Sequence, residues 1–143
     1  MSNVVPFNED GSSMTIPEKA VSLSELVRVL NSVVMDCEPL ERRIYVNDGL
    51  DGICSLVLYE ESKLIQFERQ VEWKGDVIGA LRKINEVNRD IIMVRFFLHG
   101  NDVIAADHFM SYDGGLHVRQ FIKQLRRFAK IATEVANDTF RVE

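Results

Sequence analysis

Two cysteines in 143 residues, Cys37 and Cys54, are too few for a disulfide framework and lack the paired spacing of a metal knuckle. Three prolines and eight glycines exclude collagen-like and low-complexity chains. No apolar run approaches the roughly 20 residues of a membrane span. Met1 to Asp10 have no basic segment followed by an apolar core, so no secretory signal is read there. The expectation is a cytoplasmic protein without a membrane partner. Basic residues number 17 against 22 acidic ones, a formal charge of -5. That balance argues against binding nucleic acid through an overall field.

Catalytic signatures are missing too. No serine has the G-x-S-x-G setting, and Cys54 has no histidine near it in sequence; it reads as a small buried hydrophobe. Asp113-Gly114-Gly115 is a single turn that could face an anion, but it lacks the spaced glycines and lysine of a phosphate loop. Its simpler role is to reverse the chain. Of three histidines, His99 and His108 fall roughly 20 Å apart along a hairpin and cannot share an ion. His108, Asp113 and His117 could meet where the last strand joins the last helix, yet ordinary edge and turn histidines are the simpler reading. Neither catalysis nor a cofactor is expected.

What is present is an ordinary globular balance, 46% hydrophobic and 27% charged, in a length suited to one domain. Residues 1–21 show no periodicity and read as a flexible N-terminal tail, in which Val4, Val5 and Phe7 could form a partner-binding arm. Ser22 and Glu25 fit a capping box ahead of an apolar helical stripe from Leu23 to Val34. That helix is expected to end before Pro39. Strands follow at Arg43–Asn47, Ile53–Tyr59 and Lys63–Glu72, the first two joined by Asp48-Gly49-Leu50-Asp51-Gly52. In the third, Ile65, Phe67 and Val71 alternate with Gln66, Glu68, Gln70 and Glu72, the pattern of a half-buried sheet.

Asp76 caps a second helix with Val77, Ala80, Leu81, Ile84 and Asn88 along one side and Ile78 beside them. Ile91–Leu98 and Val103–Met110 form a hairpin. With Gly100-Asn101 as a two-residue turn, Leu98 faces Val103 and Val94 faces Asp107. One hairpin face then holds Ile91, Met93, Phe97, Ile104 and Met110, with Arg95 and His108 as polar interruptions. An apolar face with a polar island suits a protein interface, so these seven residues are the candidate interaction surface. The last helix, Val118 to Ala136, carries a core stripe and, outside it, Arg119, Lys123, Arg126, Arg127 and Lys130 with no acid until Glu134. This is the candidate anion or nucleic-acid face; the plainer reading is a solvated face paired with Glu60, Glu61, Glu68 and Glu72. Residues 138–143 read as a C-terminal tail. The expectation is therefore an α+β domain over 22–137, ordered α-β-β-β-α-β-β-α, with a mainly antiparallel five-stranded sheet packed by helices.

That order is the order of the type III secretion chaperone-like fold. The chain resembles the YbjN family of bacterial sensory transduction regulators in Ile84-Asn85-Glu86-Val87-Asn88, the hydrophobic strand after it, the Gly100-Asn101 hairpin, the strand ending in Phe109-Met110, and Asp113-Gly114-Gly115 before the long helix. The resemblance implies a small, non-enzymatic regulatory or interaction module, a homodimer, and an unidentified protein partner. It supplies no catalytic residues. A nucleic-acid-associated regulator using the basic helix is the alternative.

Overall fold

The computed structural model of the chain describes residues 14–33, 35–47 and 53–140. The elements in chain order are β1 (Thr15–Ile16), a 3-10 turn (Glu18–Ala20), α1 (Leu23–Ser32), β2 (Asp36–Leu40), β3 (Arg43–Asn47), β4 (Ile53–Tyr59), β5 (Leu64–Glu72), α2 (Val77–Asp90), β6 (Arg95–His99), β7 (Val103–Ser111), β8 (Leu116–His117), α3 (Val118–Val135) and a π-helical turn (Ala136–Phe140). The fold is α+β. One sheet has the order β2-β3-β4-β5-β7-β6, antiparallel at every pairing, and β1 and β8 form a separate two-stranded ribbon.

The caps act as the sequence indicates. Ser22 accepts a hydrogen bond from the Glu25 backbone N–H at 3.2 Å, and Asp76 accepts from that of Gly79 at 2.9 Å. Each satisfies one of the orphan donors of a helix start. On α2 the buried stripe is Ala80, Ile84 and Val87, while Val77, Ile78 and Leu81 are exposed.

The sheet is six-stranded rather than five-stranded. The additional strand is β2, which contains Pro39. A proline costs no ladder bond at an outer edge, and β2 is an edge. The expected N-terminal tail also extends too far. Ile16 and Val21 are buried, and Thr15 and Ile16 pair with His117 and Leu116. A two-residue strand whose partner lies about a hundred residues away leaves no periodic signal. Gly115 belongs to the same junction: it sits at φ 128°, and a Cβ there would lie 3.2 Å from the Ile16 carbonyl oxygen. The expected C-terminal tail likewise overlaps folded chain. Phe140 is buried against Phe96 and, edge to face, Trp73, with centroids 5.8 and 6.3 Å away. Val4, Val5, Phe7 and the Asp48–Gly52 connection lie outside the described residues.

The core lies between the helices and one side of the sheet. Ile44, Val46, Leu56, Ile65, Phe67, Phe96, Ile104 and Ala106 face it, with Phe121, Leu125 and Phe128 of α3 packed opposite; Phe67 touches both phenylalanine rings of α3. At the β6 edge, α2 supplies a side-chain substitute for a neighbouring strand. Asn88 donates from Nδ2 to the Phe96 carbonyl and accepts the Phe96 N–H at Oδ1, both at 2.9 Å. One carboxamide thus meets both backbone groups that Phe96 would otherwise offer to another chain.

The hairpin register differs from the expectation by one residue. Arg95 faces Asp107, Phe97 faces Ala105, and His99 faces Val103, so Gly100-Asn101-Asp102 form a three-residue loop with Gly100 at φ 69°. The Asp102 carbonyl accepts the Trp73 N–H at 2.7 Å. That contact ties Asp102 to the end of β5, one position beyond the Glu72–Val103 pair.

Candidate interaction surface

A one-residue slip sends every side chain of a strand to the other face. It divides the seven residues proposed as one surface. Ile104 is buried, and His108 and Met110 share its helix-facing side; Ile91 and Met93 precede β6 and pack against the core. Only Arg95 and Phe97 lie on the opposite side, with the guanidinium 4.8 Å from the Phe97 ring centre.

No described helix covers that opposite side. A polar row crosses all six strands on it, in the order Glu38, Tyr45, Ser55, Glu68, Asp107, Arg95, each facing the next. Glu68 and Asp107 are direct cross-strand neighbours on the adjacent strands β5 and β7. Two carboxylates so placed repel. Each is held by an arginine from its own flank. Arg43 of β3 reaches Glu68 Oε1 at 2.6 Å and Ser55 Oγ at 2.8 Å. Arg95 of β6 grips Asp107 bidentately, Nε to Oδ1 at 2.9 Å and Nη2 to Oδ2 at 2.7 Å. This raises the Arg95 pKa, first through the hydrogen bonds to Asp107.

Gln66 joins the pairs into a network. Its Nε2 donates to Asp107 Oδ2 at 3.0 Å, and its Oε1 accepts from the Tyr59 hydroxyl at 2.8 Å. Asp107 is 1% exposed, whereas the Arg95 side chain is 64% exposed. The pair therefore presents a cation outward and keeps its anion beneath. A groove of about 830 Å³ follows the row past Arg43, Tyr45, Ser55 and Glu68. Around the network stand exposed apolar side chains: Leu40, Tyr45, Ile53, Tyr59 and Phe109. Tyr59 and Phe109 touch, with ring centres 6.3 Å apart. The alternation of β4 and β5 marks Ser55, Gln66 and Glu68 as sharing the polar side of the sheet, but the sequence placed the interaction surface on the hairpin, and of those seven residues only Arg95 and Phe97 lie here.

The basic residues of α3 stay on its outer flank. Lys123, Arg126, Arg127 and Lys130 are exposed, as is Arg119. Glu68 does not reach them, being engaged by Arg43 on the far side of the sheet. At the Asp113-Gly114-Gly115 turn an anion is present, and it is the chain's own. Glu18 accepts the Gly114 N–H at 2.9 Å and pairs with Lys63 at 2.9 Å. The Gly114 N–H first, and then Lys63, lower the Glu18 pKa from 4.5 to about 2. His108 contacts Gln124, and His117 is the residue before the first turn of α3. Among the described residues no three of His, Cys, Asp and Glu converge as a metal set. Nor is any described helix long and apolar enough to cross a membrane.

The family model described as "Putative bacterial sensory transduction regulator" (YbjN) matches residues 52–140. Among solved structures the chain is similar to "YbjN, a putative transcription regulator from E. coli", at TM-score 0.62 and 16% identity, over 80% of this chain and 93% of that one. At that identity the likeness concerns the fold. No curated protein matches.

Proposed function

The chain belongs to the YbjN family, and from that premise we propose that it is a cytoplasmic regulatory module acting by protein contact rather than catalysis, and that it pairs with a second copy through the open face of its sheet. The observation that carries this reading is the opposite charge at the two ends of the polar row. Glu38 stands on the β2 edge and Arg95 on the β6 edge. A two-fold axis parallel to the strands lays the Glu38 end of one copy over the Arg95 end of the other, twice. This is the self-complementarity that an isologous interface needs. Between those ends Ser55, Gln66, Glu68 and Asp107 already hold side-chain hydrogen-bond partners within the face, which lowers the cost of covering them. Leu40, Tyr45, Ile53, Tyr59 and Phe109 supply apolar area at the rim of the contact.

Edge-to-edge pairing is the poorer route. Pro39 lies in β2, and Asn88 occupies the backbone of β6 at Phe96. The basic flank of α3 is not our choice as a nucleic-acid surface. Its five cations stand on a chain of net charge -5, and counterion release scales with the phosphates neutralised.

Size-exclusion chromatography with light scattering at micromolar concentration tests the pairing. The expected result is a dimer that Tyr45→Glu and Phe109→Glu convert to monomer and that Ile78→Glu, on exposed α2 surface, leaves intact. A monomeric parent protein, or a dimer lost only in the α2 variant, would overturn it.

A further inference from the structure

The outer flank of α3 carries a second feature, unrelated to the open sheet face. A groove of about 610 Å³ lies between this flank, the segment entering β6, and β7; it is lined by Met93, His108, Gln120, Lys123, Gln124 and Arg127. None of the six is an acid. Lys123 and Arg127 are one helical turn apart, about 6 Å along the axis, and both are exposed. Neither forms an ion pair among the described residues. In a chain with more acids than bases, this is a local reversal of charge that its own carboxylates leave uncompensated.

His108 sets the polarity of the groove. Its Nε2 lies 2.9 Å from Gln124 Oε1. An amide oxygen only accepts, so the imidazole donates Nε2–H and engages the oxygen of the carboxamide, leaving the amide N–H groups as that side chain's remaining polar function. Gln120 brings a second carboxamide to the same lining. The groove thus gathers an ammonium, a guanidinium and amide N–H groups. A donor-rich set with positive charge recognises an oxyanion, and a guanidinium fits tetrahedral oxyanions bidentately.

We propose that this groove binds the phosphate group of a small phosphorylated ligand. Lys123 and Arg127 neutralise its charge, Gln120 and Gln124 donate amide hydrogen bonds, and Met93 offers an apolar contact to the remainder of the molecule. The volume falls in the range of small-molecule sites. A polymeric phosphodiester fits less well, because two groove cations release few counterions.

The test is amide NMR of the full chain, titrated at constant ionic strength with inorganic phosphate, adenosine monophosphate and a single-stranded oligonucleotide in separate arms. Saturable shifts are expected with phosphate and the mononucleotide, centred on the side-chain amides of Gln120 and Gln124. Lys123→Gln with Arg127→Gln should weaken binding about tenfold or more, and Lys74→Gln, remote and exposed, should leave it unchanged. Both groove substitutions are at exposed positions, and the dispersed spectrum itself reports whether the fold is kept. Absence of saturation in both small-ligand arms would overturn the proposal. So would equal weakening by Lys74→Gln, or an oligonucleotide that binds more than tenfold tighter than the mononucleotide.

Discussion

Replacing Asn88 with alanine isolates the device that closes the β6 edge. The substitution removes two hydrogen bonds, from Asn88 Nδ2 to the Phe96 carbonyl and from the Phe96 N–H to Asn88 Oδ1. At about 1 kcal/mol net for each bond, the loss is about 2 kcal/mol. Alanine returns about 0.5 kcal/mol through its better helix propensity, leaving about 1.5 kcal/mol of destabilisation. For 143 residues the unfolding entropy is about 0.3 kcal/mol/K, so Tm should fall by about 5 °C. Asn85→Ala is the matched control: it is the same change on the same helix at an exposed position, and it should stabilise by about 0.5 kcal/mol. Asn88→Asp separates the two bonds, since a carboxylate can accept the Phe96 N–H but cannot donate to its carbonyl; it should lose at least as much as alanine. Urea unfolding followed by circular dichroism measures all three. If Asn88→Ala and Asn85→Ala agree within about 0.5 kcal/mol, the edge-capping argument is wrong.

Two further perturbations address the open face and the N-terminal junction. Arg95→Met leaves Asp107 buried without its cation and should cost about 2 kcal/mol, below the range for fully buried pairs because Arg95 is largely solvent-exposed; the double variant with Asp107→Leu should recover most of that in the same unfolding assay. Glu18 has a folded pKa of about 2 against 4.5, so its carboxylate contributes stability that is fully present above about pH 4.5 and lost as pH falls toward 2. The stability difference between the parent and Glu18→Gln should therefore shrink over that window, and a difference that grows on acidification would refute the assignment.

The elements whose signals are local were legible in the sequence. Ser22 and Asp76 announce the starts of α1 and α2 because a cap needs only the residues beside it. The outward polar set of β5 follows from strict alternation, and the stripe of α3 from its 3.6-residue repeat. The features that escaped depend on distant partners. Gly100-Asn101 satisfies the rule for a two-residue turn, but β7 is also paired with β5 along its whole length, and the register it takes opposite β6, His99 facing Val103, leaves Asp102 as a third loop residue. That single residue moves Asp107 from facing an aliphatic side chain to facing Arg95, which is why the polar network could not be read from the hairpin alone. Strand β2 was hidden for another reason. Proline is a helix-ending signal in sequence and a harmless edge residue in the sheet, and only the position of β2 in the strand order decides between them.

The docking of Phe140 has a consequence for how the molecule is made. Its ring closes over Trp73, 67 positions earlier in the chain, and over Phe96. A ribosome adding about 5–20 residues per second would present Trp73 several seconds before Phe140 exists to meet it. In that interval the flank of the core beside α2 lacks the ring that packs on both Trp73 and Phe96. Trp73 is the sole tryptophan, so its emission would report the moment of closure from within the native sequence, without any attached dye.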